Sequence, residues 1–201
     1  FVIEGAGGHA SAPPPHTGIG RLAAAVTRIE AKPFPVTLTK PVAEMFDTLG
    51  RRSSFAYKLI FANLWCFLPL LDAMCKKSGG ELNAMMRTTC AFTMAEGSKA
   101  SNVLPPRARM VANLHIISGS TMESTLTRLK TLVADEGITA SILHGTDPCS
   151  ISRTEGYGWE KLTHAIAETW PDAEVSPYLM FAASDSRHYS AISENVYRFS
   201  T

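Results

Sequence analysis

The stretch Phe1-Val2-Ile3-Glu4-Gly5-Ala6-Gly7-Gly8-His9, followed by Ala10-Ser11-Ala12 and Pro13-Pro14-Pro15, governs how the rest of the chain is read. Its β-branched apolar start predicts a strand. Clustered glycines behind a strand invite a dinucleotide-binding turn, in which helix N-terminal amides hold a pyrophosphate. That turn needs a helix opening directly on the glycines, and three consecutive prolines forbid regular helix until about Thr17. The glycines therefore predict a loop that holds His9 beside the backbone. Taken alone, His9 reads as an ordinary hydrogen-bonded surface histidine.

Working outward, Ile19, Leu22, Ala23, Val26 and Ile29 recur at helical spacing and predict a helix over Gly18 to Ala31. The aromatic segment from Met45 to Met74 predicts two helices, broken near Gly50 and again by Pro69. Alternation at Thr88, Cys90, Phe92 and Met94 predicts a strand, and Arg109 to Ile117 a second, the two forming a hairpin around Ser101 to Pro106. A helix over Ser120 to Ala134, with Ser120 and Glu123 resembling a capping box, precedes a strand at Ile138 to Leu143. The order β-α-(helical insert)-β-β-α-β is the split βαβ pattern of a ferredoxin-like domain, an antiparallel sheet with both helices on one face. Beyond it, Trp159 to Thr169 predicts a helix, Val175 to Ala182 a buried strand and Asp185 to Ile192 a further helix. The expected fold class is α+β: a ferredoxin-like βαββαβ lid over residues 1–147, with a helical insertion at about 40–80, and a partial catalytic α/β domain over 148–201. Both ends fall in strand-like runs, so the chain is expected to be a piece of a longer protein.

Composition narrows the function classes. With 201 residues, 45% hydrophobic and 18% charged, the chain can bury a core. A net charge of +1 provides no global field for nucleic acid, and no nucleic-acid partner is expected. The longest apolar run, Leu59 to Leu71, holds 13 residues and includes Asn63 and Pro69, short of the ~20 a spanning helix needs. Cys66, Cys75, Cys90 and Cys149 lack CxxC spacing, so neither a disulfide framework nor a structural zinc site is indicated.

The remaining candidates have plain structural readings. Asn102, before Val103-Leu104-Pro105, reads as a turn residue capping its own loop. Ser184 or Asp185 reads as the N-cap of the helix that follows, compatible with substrate binding at a helix N-terminus. His188 lacks a second ligand at suitable spacing, and Arg187 beside it opposes a dication. Asp135, Glu136, Asp172 and Glu174 read as solvated loop charges. In the insert, Phe61, Leu64 and Trp65 are placed on one helix face, with Ile60 and Phe67 pointing elsewhere.

Six segments in order resemble one family: Gly7 to Ser11 with Pro13-Pro14 and Ile19-Gly20-Arg21-Leu22; Ala62-Asn63-Leu64-Trp65; Asn83-Ala84-Met85 with Arg87-Thr88-Thr89; Lys99 to Pro105; Ser184 to Tyr189; and Val196 to Phe199. The chain resembles the zinc metallopeptidase superfamily of aminoacylase, carboxypeptidase S and succinyl-diaminopimelate desuccinylase, most closely its carboxypeptidase S and N-fatty-acyl-amino-acid hydrolase branch. The resemblance implies a lid inserted into a catalytic α/β domain that carries two zinc ions, with none bound by this fragment. It also implies a homodimer through the lid. The substrate implied is an N-acyl amino acid or peptide with a free carboxylate, cleaved at its amide. By motif, His9 matches the lid histidine that reaches the partner's site and polarises the scissile carbonyl, and Asn102 matches the lid asparagine. His115 stands in the strand where the family usually has a carboxylate-binding arginine, and it lacks that side chain's permanent charge and bidentate fork. Ser184, Asp185, Arg187 and Trp65 complete the expected substrate contacts, Trp65 as a wall of an acyl pocket. The competing expectation is a dimerisation and interaction module with no chemistry of its own.

Overall fold

A computed structural model describes residues 1–180 and 184–199. In chain order the elements are β1 (Val2–Glu4), β2 (Gly8–His9), α1 (Gly18–Glu30), α2 (Lys40–Arg52), α3 (Phe55–Ala62), α4 (Leu64–Ser78), α5 (Gly80–Met86), β3 (Thr89–Glu96), β4 (Val103–Leu104), β5 (Arg107–His115), α6 (Met122–Val133), β6 (Ile138–Thr139), α7 (Tyr157–Thr169) and a 3₁₀ helix, Asp185–Ala191. The chain divides into two compact units, residues 1–35 with 88–147 and residues 36–87 with 148–201. The helical insertion thus groups with the C-terminal segment.

In the first unit four strands pair antiparallel in the order β3-β5-β1-β6. Setting aside the short β2 and β4, this is the ferredoxin-like order, with α1 and α6 the two helices of the split βαβ pattern. The apolar stripe of α1 places Leu22, Ala25 and Ile29 into one cluster with Ile3, Ala108, Leu129, Val133 and Ile138. Both helices start on threonine caps. Thr17 Oγ1 accepts from the Gly20 N–H at 3.1 Å. The capping box of α6 uses Thr121 and Ser124, each side chain accepting from the other's N–H, rather than Ser120 and Glu123. At the far end Ala134 adopts a left-handed conformation (φ 47°), and Arg28 donates to the last carbonyls of the helix, Leu132 O at 3.4 Å and Val133 O. Asp135 is not a solvated loop charge. It takes a two-pronged hydrogen bond from Arg21, with Nε to Oδ2 at 2.9 Å. That bond, opposed in part by burial, holds the carboxyl below its ordinary value. Strand β6 is two residues long, shorter than the expected run to Leu143.

In the second unit, α2, α4 and α5 bury Val42, Met45, Phe46, Leu71, Cys75 and Met86, with Ile60, Phe61, Leu64, Leu68 and Leu179 packed around them. Pro69 lies inside α4 without ending it. Its missing N–H forfeits one backbone bond, while Leu71 and Cys75 anchor the following turns. The break falls at Asn63 instead, where α3 and α4 meet at 108°. The Asn63 carbonyl there accepts from both the Cys66 and Phe67 N–H groups. That bend corrects the expected face. Ile60, Phe61 and Leu64 turn to the core, while Trp65 stands 84% exposed. No single helix among the described residues is long and apolar enough to cross a membrane. Residues 175–180 of the expected strand form no ladder, and 181 and 182 lie outside the described residues. A strand needs a neighbour to satisfy its main-chain groups, and among the described residues of the second unit there is no strand to supply one.

Candidate functional site

The region around His9 is organised by a second, two-stranded ribbon in which β2 pairs antiparallel with β4, Gly8 opposite Leu104 and His9 opposite Val103. The Ala10 N–H continues the pairing to the Asn102 carbonyl at 2.9 Å. Gly7 makes this close approach possible. Its φ is +67°, and a Cβ there would meet the Leu104 carbonyl oxygen at 3.1 Å. The glycine cluster thus serves a strand crossing rather than a phosphate cradle. Both His9 and Asn102 are exposed. The imidazole is held from one side: His9 Nδ1 lies 2.8 Å from Ser11 Oγ and accepts the Ser11 N–H at 3.2 Å. Asn102 meets its neighbours through its carbonyl, and among the described residues its side chain caps no loop. Ser11 carried no role in the sequence reading, although its place two residues after His9 in Gly7-Gly8-His9-Ala10-Ser11 is the signal that identifies it.

The other candidates are distributed as follows. His115 ends β5, exposed and paired opposite Thr89 on the four-stranded sheet, away from the ribbon's own pairs. In the second unit, Ser184 caps the 3₁₀ helix, its Oγ accepting from the Ser186 N–H at 3.3 Å. Asp185 lies in the first turn, and the exposed Arg187 directs Nε to His188 Nε2 at 3.3 Å. Arg198, from the Val196 to Phe199 segment, reaches Ser186 Oγ with Nε and Cys149 Sγ with Nη2 at 3.7 Å. The expected helix at 185–192 is therefore a 3₁₀ turn tied down by Arg198. The structure thus joins His9 with Asn102, and Ser184 with Asp185 and Arg187. Trp65 has no polar contact with either set among the described residues. No group of three or more His, Cys, Asp or Glu among the described residues is arranged to hold a metal ion.

Comparisons with known proteins show the family to which the chain belongs. The chain is 33% identical over 195 residues to an N-fatty-acyl-amino acid synthase/hydrolase, PM20D1.1, of Danio rerio, covering 96% of this chain and 38% of that protein. It is 34% identical over 195 residues to the corresponding protein of Xenopus tropicalis, with the same coverages. A probable carboxypeptidase S-like protein of Dictyostelium discoideum is 31% identical over 194 residues, 96% of this chain and 37% of its own length. The chain thus spans well under half the length of the curated relatives it matches. Among solved structures, an M20 family metallo-carboxypeptidase from Sulfolobus solfataricus shares the fold at a TM-score of 0.57 and 13% identity, covering 94% of this chain and 52% of that one. Residues 1–140 match the peptidase dimerisation domain family, M20_dimer, and the chain belongs to that family.

Proposed function

We propose that the whole protein is an amidohydrolase acting on N-acyl amino acids or peptides with a free carboxylate. In this reading the first unit pairs with a second copy, so that His9 reaches the partner's site. The single observation that carries the reading is the β2–β4 ribbon, which pairs His9 with Val103 and Ala10 with the adjoining Asn102 and leaves both His9 and Asn102 exposed. Relatives named as N-fatty-acyl-amino acid hydrolases and carboxypeptidases support the bond type. Strand β3 at the edge of the four-stranded sheet supports pairing, since an exposed edge offers a row of main-chain donors and acceptors to a second strand.

The described residues do not themselves make a metal site. The zinc that the family implies is proposed to be held by residues outside those described. What this chain offers is hydrogen bonding. An imidazole N–H directed at the scissile carbonyl oxygen stabilises the negative charge that gathers there as the amide is attacked. Asn102, next to β4 in the same ribbon, is proposed as a second donor, and His115, Ser184, Asp185 and Arg187 remain the proposed contacts for the substrate's polar end. The exposed Trp65 is the proposed wall for an apolar acyl group, because each CH₂ it covers contributes ~0.8 kcal/mol.

The test is His9→Ala in the full-length protein. Turnover should fall by about 100-fold to 1000-fold with the fold unchanged. Activity within a few-fold of the parent would return His9 to an ordinary surface role. Mixing this variant with one lacking a metal ligand should restore part of the activity through hybrid dimers. A second reading, a dimerisation module without chemistry, draws on the family match over residues 1–140. Metal-free dimers of the full-length protein that turn over no amide would favour it.

A further inference from the structure

The His9 ring carries an asymmetry that the proposed reaction requires and that its neighbours impose. The Ser11 backbone N–H points at Nδ1 from 3.2 Å, and the Ser11 hydroxyl oxygen lies 2.8 Å from the same nitrogen. A ring nitrogen that accepts an N–H cannot carry a proton of its own. The proton of the neutral ring therefore sits on Nε2, the nitrogen on the opposite side of the imidazole. The hydroxyl faces the same lone pair and so is turned to donate. Two donors converging on Nδ1 fix both the tautomer and the rotation of the ring. Their placement follows from the chain path: the Ala12 N–H returns to the His9 carbonyl at 3.2 Å, closing a tight turn that brings Ser11 over the ring. The Ala10 N–H bond to Asn102 anchors the same turn to β4.

We propose that Ser11 is a positioning residue that holds His9 as the Nε2–H tautomer and aims that N–H at the substrate carbonyl oxygen. This rests on the reading of His9 as the group that polarises the carbonyl. Ser11 touches neither substrate nor reacting atoms, and its whole effect passes through the ring. The opposite tautomer would present a lone pair to the carbonyl oxygen and repel it.

The experiment has two arms on the full-length protein. In the first, ¹⁵N NMR of the His9 ring reads the tautomer directly. Nδ1 is expected in the unprotonated range and Nε2 in the protonated range, and an Nδ1–H tautomer would overturn the proposal. In the second, Ser11→Ala keeps the backbone donor and removes the hydroxyl. Turnover should fall by about 3-fold to 10-fold, the net worth of one hydrogen bond, with KM unchanged. Ser11→Thr should restore it, since it replaces the donor. In the background of His9→Ala, Ser11→Ala should add no further loss. An additive loss there, or a fall that appears in KM alone, would show that Ser11 acts on something other than His9. Should His9→Ala leave turnover intact, the reading of His9 fails, while the NMR arm still decides whether Ser11 sets the tautomer.

Discussion

The two compact units solve the problem of burial differently. In the sheet unit the core cluster is apolar: Ile3, Leu22, Ala25, Ile29, Leu129, Val133 and Ile138 close on one another, the small polar side chains of Thr88 and Thr125 are buried nearby, and the Arg21–Asp135 pair stays at the rim. In the helical unit a charge lies inside. Arg87 is 1% exposed and bonded to Asp72, which also holds Lys76 at 2.6 Å, beside the buried Cys75 and Met86. A sheet with two long helices has enough continuous apolar surface to enclose its core. Four helices joined by short breaks offer less continuous apolar surface, and a polar side chain enclosed among them, Arg87, is compensated by Asp72.

The comparison can be broken most sharply by cavity formation. Phe46→Ala removes a fully buried ring that stacks on Phe61 at 5.0 Å, and should cost the helical unit about 3–5 kcal/mol. Leu22→Ala should cost the sheet unit about 2–5 kcal/mol. Chemical denaturation followed by probes in each unit should then show each variant lowering one transition more than the other. Equal shifts in both would mean that the units unfold as one.

Next in size is the buried ion pair. Asp72→Asn removes the carboxylate charge that faces the buried Arg87 and should cost about 2–3 kcal/mol. Burial alone would raise the Asp72 carboxyl, but hydrogen bonds from Lys76 and Arg87 outweigh it and hold the group below its ordinary value. A carboxyl lowered in the folded state contributes stability that is present above its unfolded value and lost as pH falls through its folded value. Thermal melts of the wild type should therefore weaken into acid more steeply than those of Asp72→Asn. Parallel curves would remove Asp72 from the acid response.

Thiol reactivity separates the units again. Cys66 on α4 is exposed, whereas Cys90 on β3 is packed against the sheet core, where burial first and Glu30 second push its thiol up to about 11. Alkylation near neutral pH should modify Cys66 first and leave Cys90 until the sheet unfolds. The smallest stability effect belongs to Trp65→Ala, expected within about 0.5 kcal/mol because the side chain is largely solvated. Its effect should appear in function, as a rise in KM for long-chain acyl substrates with acetyl substrates little affected. A similar rise for both would leave Trp65 without a role in an acyl pocket.

The sequence by itself determined the architecture of the sheet unit. Apolar periodicity marks α1, α6 and the β3–β5 hairpin because each buries one regular face, and a regular face leaves a period in the residues. Gly7-Gly8-His9 and Ser101-Asn102-Val103 by themselves read as loop and turn residues, and His9 and Asn102 became site candidates only through the family resemblance those motifs carry. Tertiary structure alone decided the rest. The separation of Trp65 from Phe61 came from the bend at Asn63, which interrupts the helical period that put them on one face. The pairing of Asp135 with Arg21 spans 114 positions, and that of Arg87 with Asp72 joins a half-buried turn of α4 to the buried residue just before β3; neither separation leaves a local pattern. Ser11 lay beside His9 in plain view, yet its role depends on a turn that folds it back over Nδ1. Short-range periodicity reports which face is buried, whereas the partner of a polar group depends on where the chain returns to, and only the folded chain specifies that.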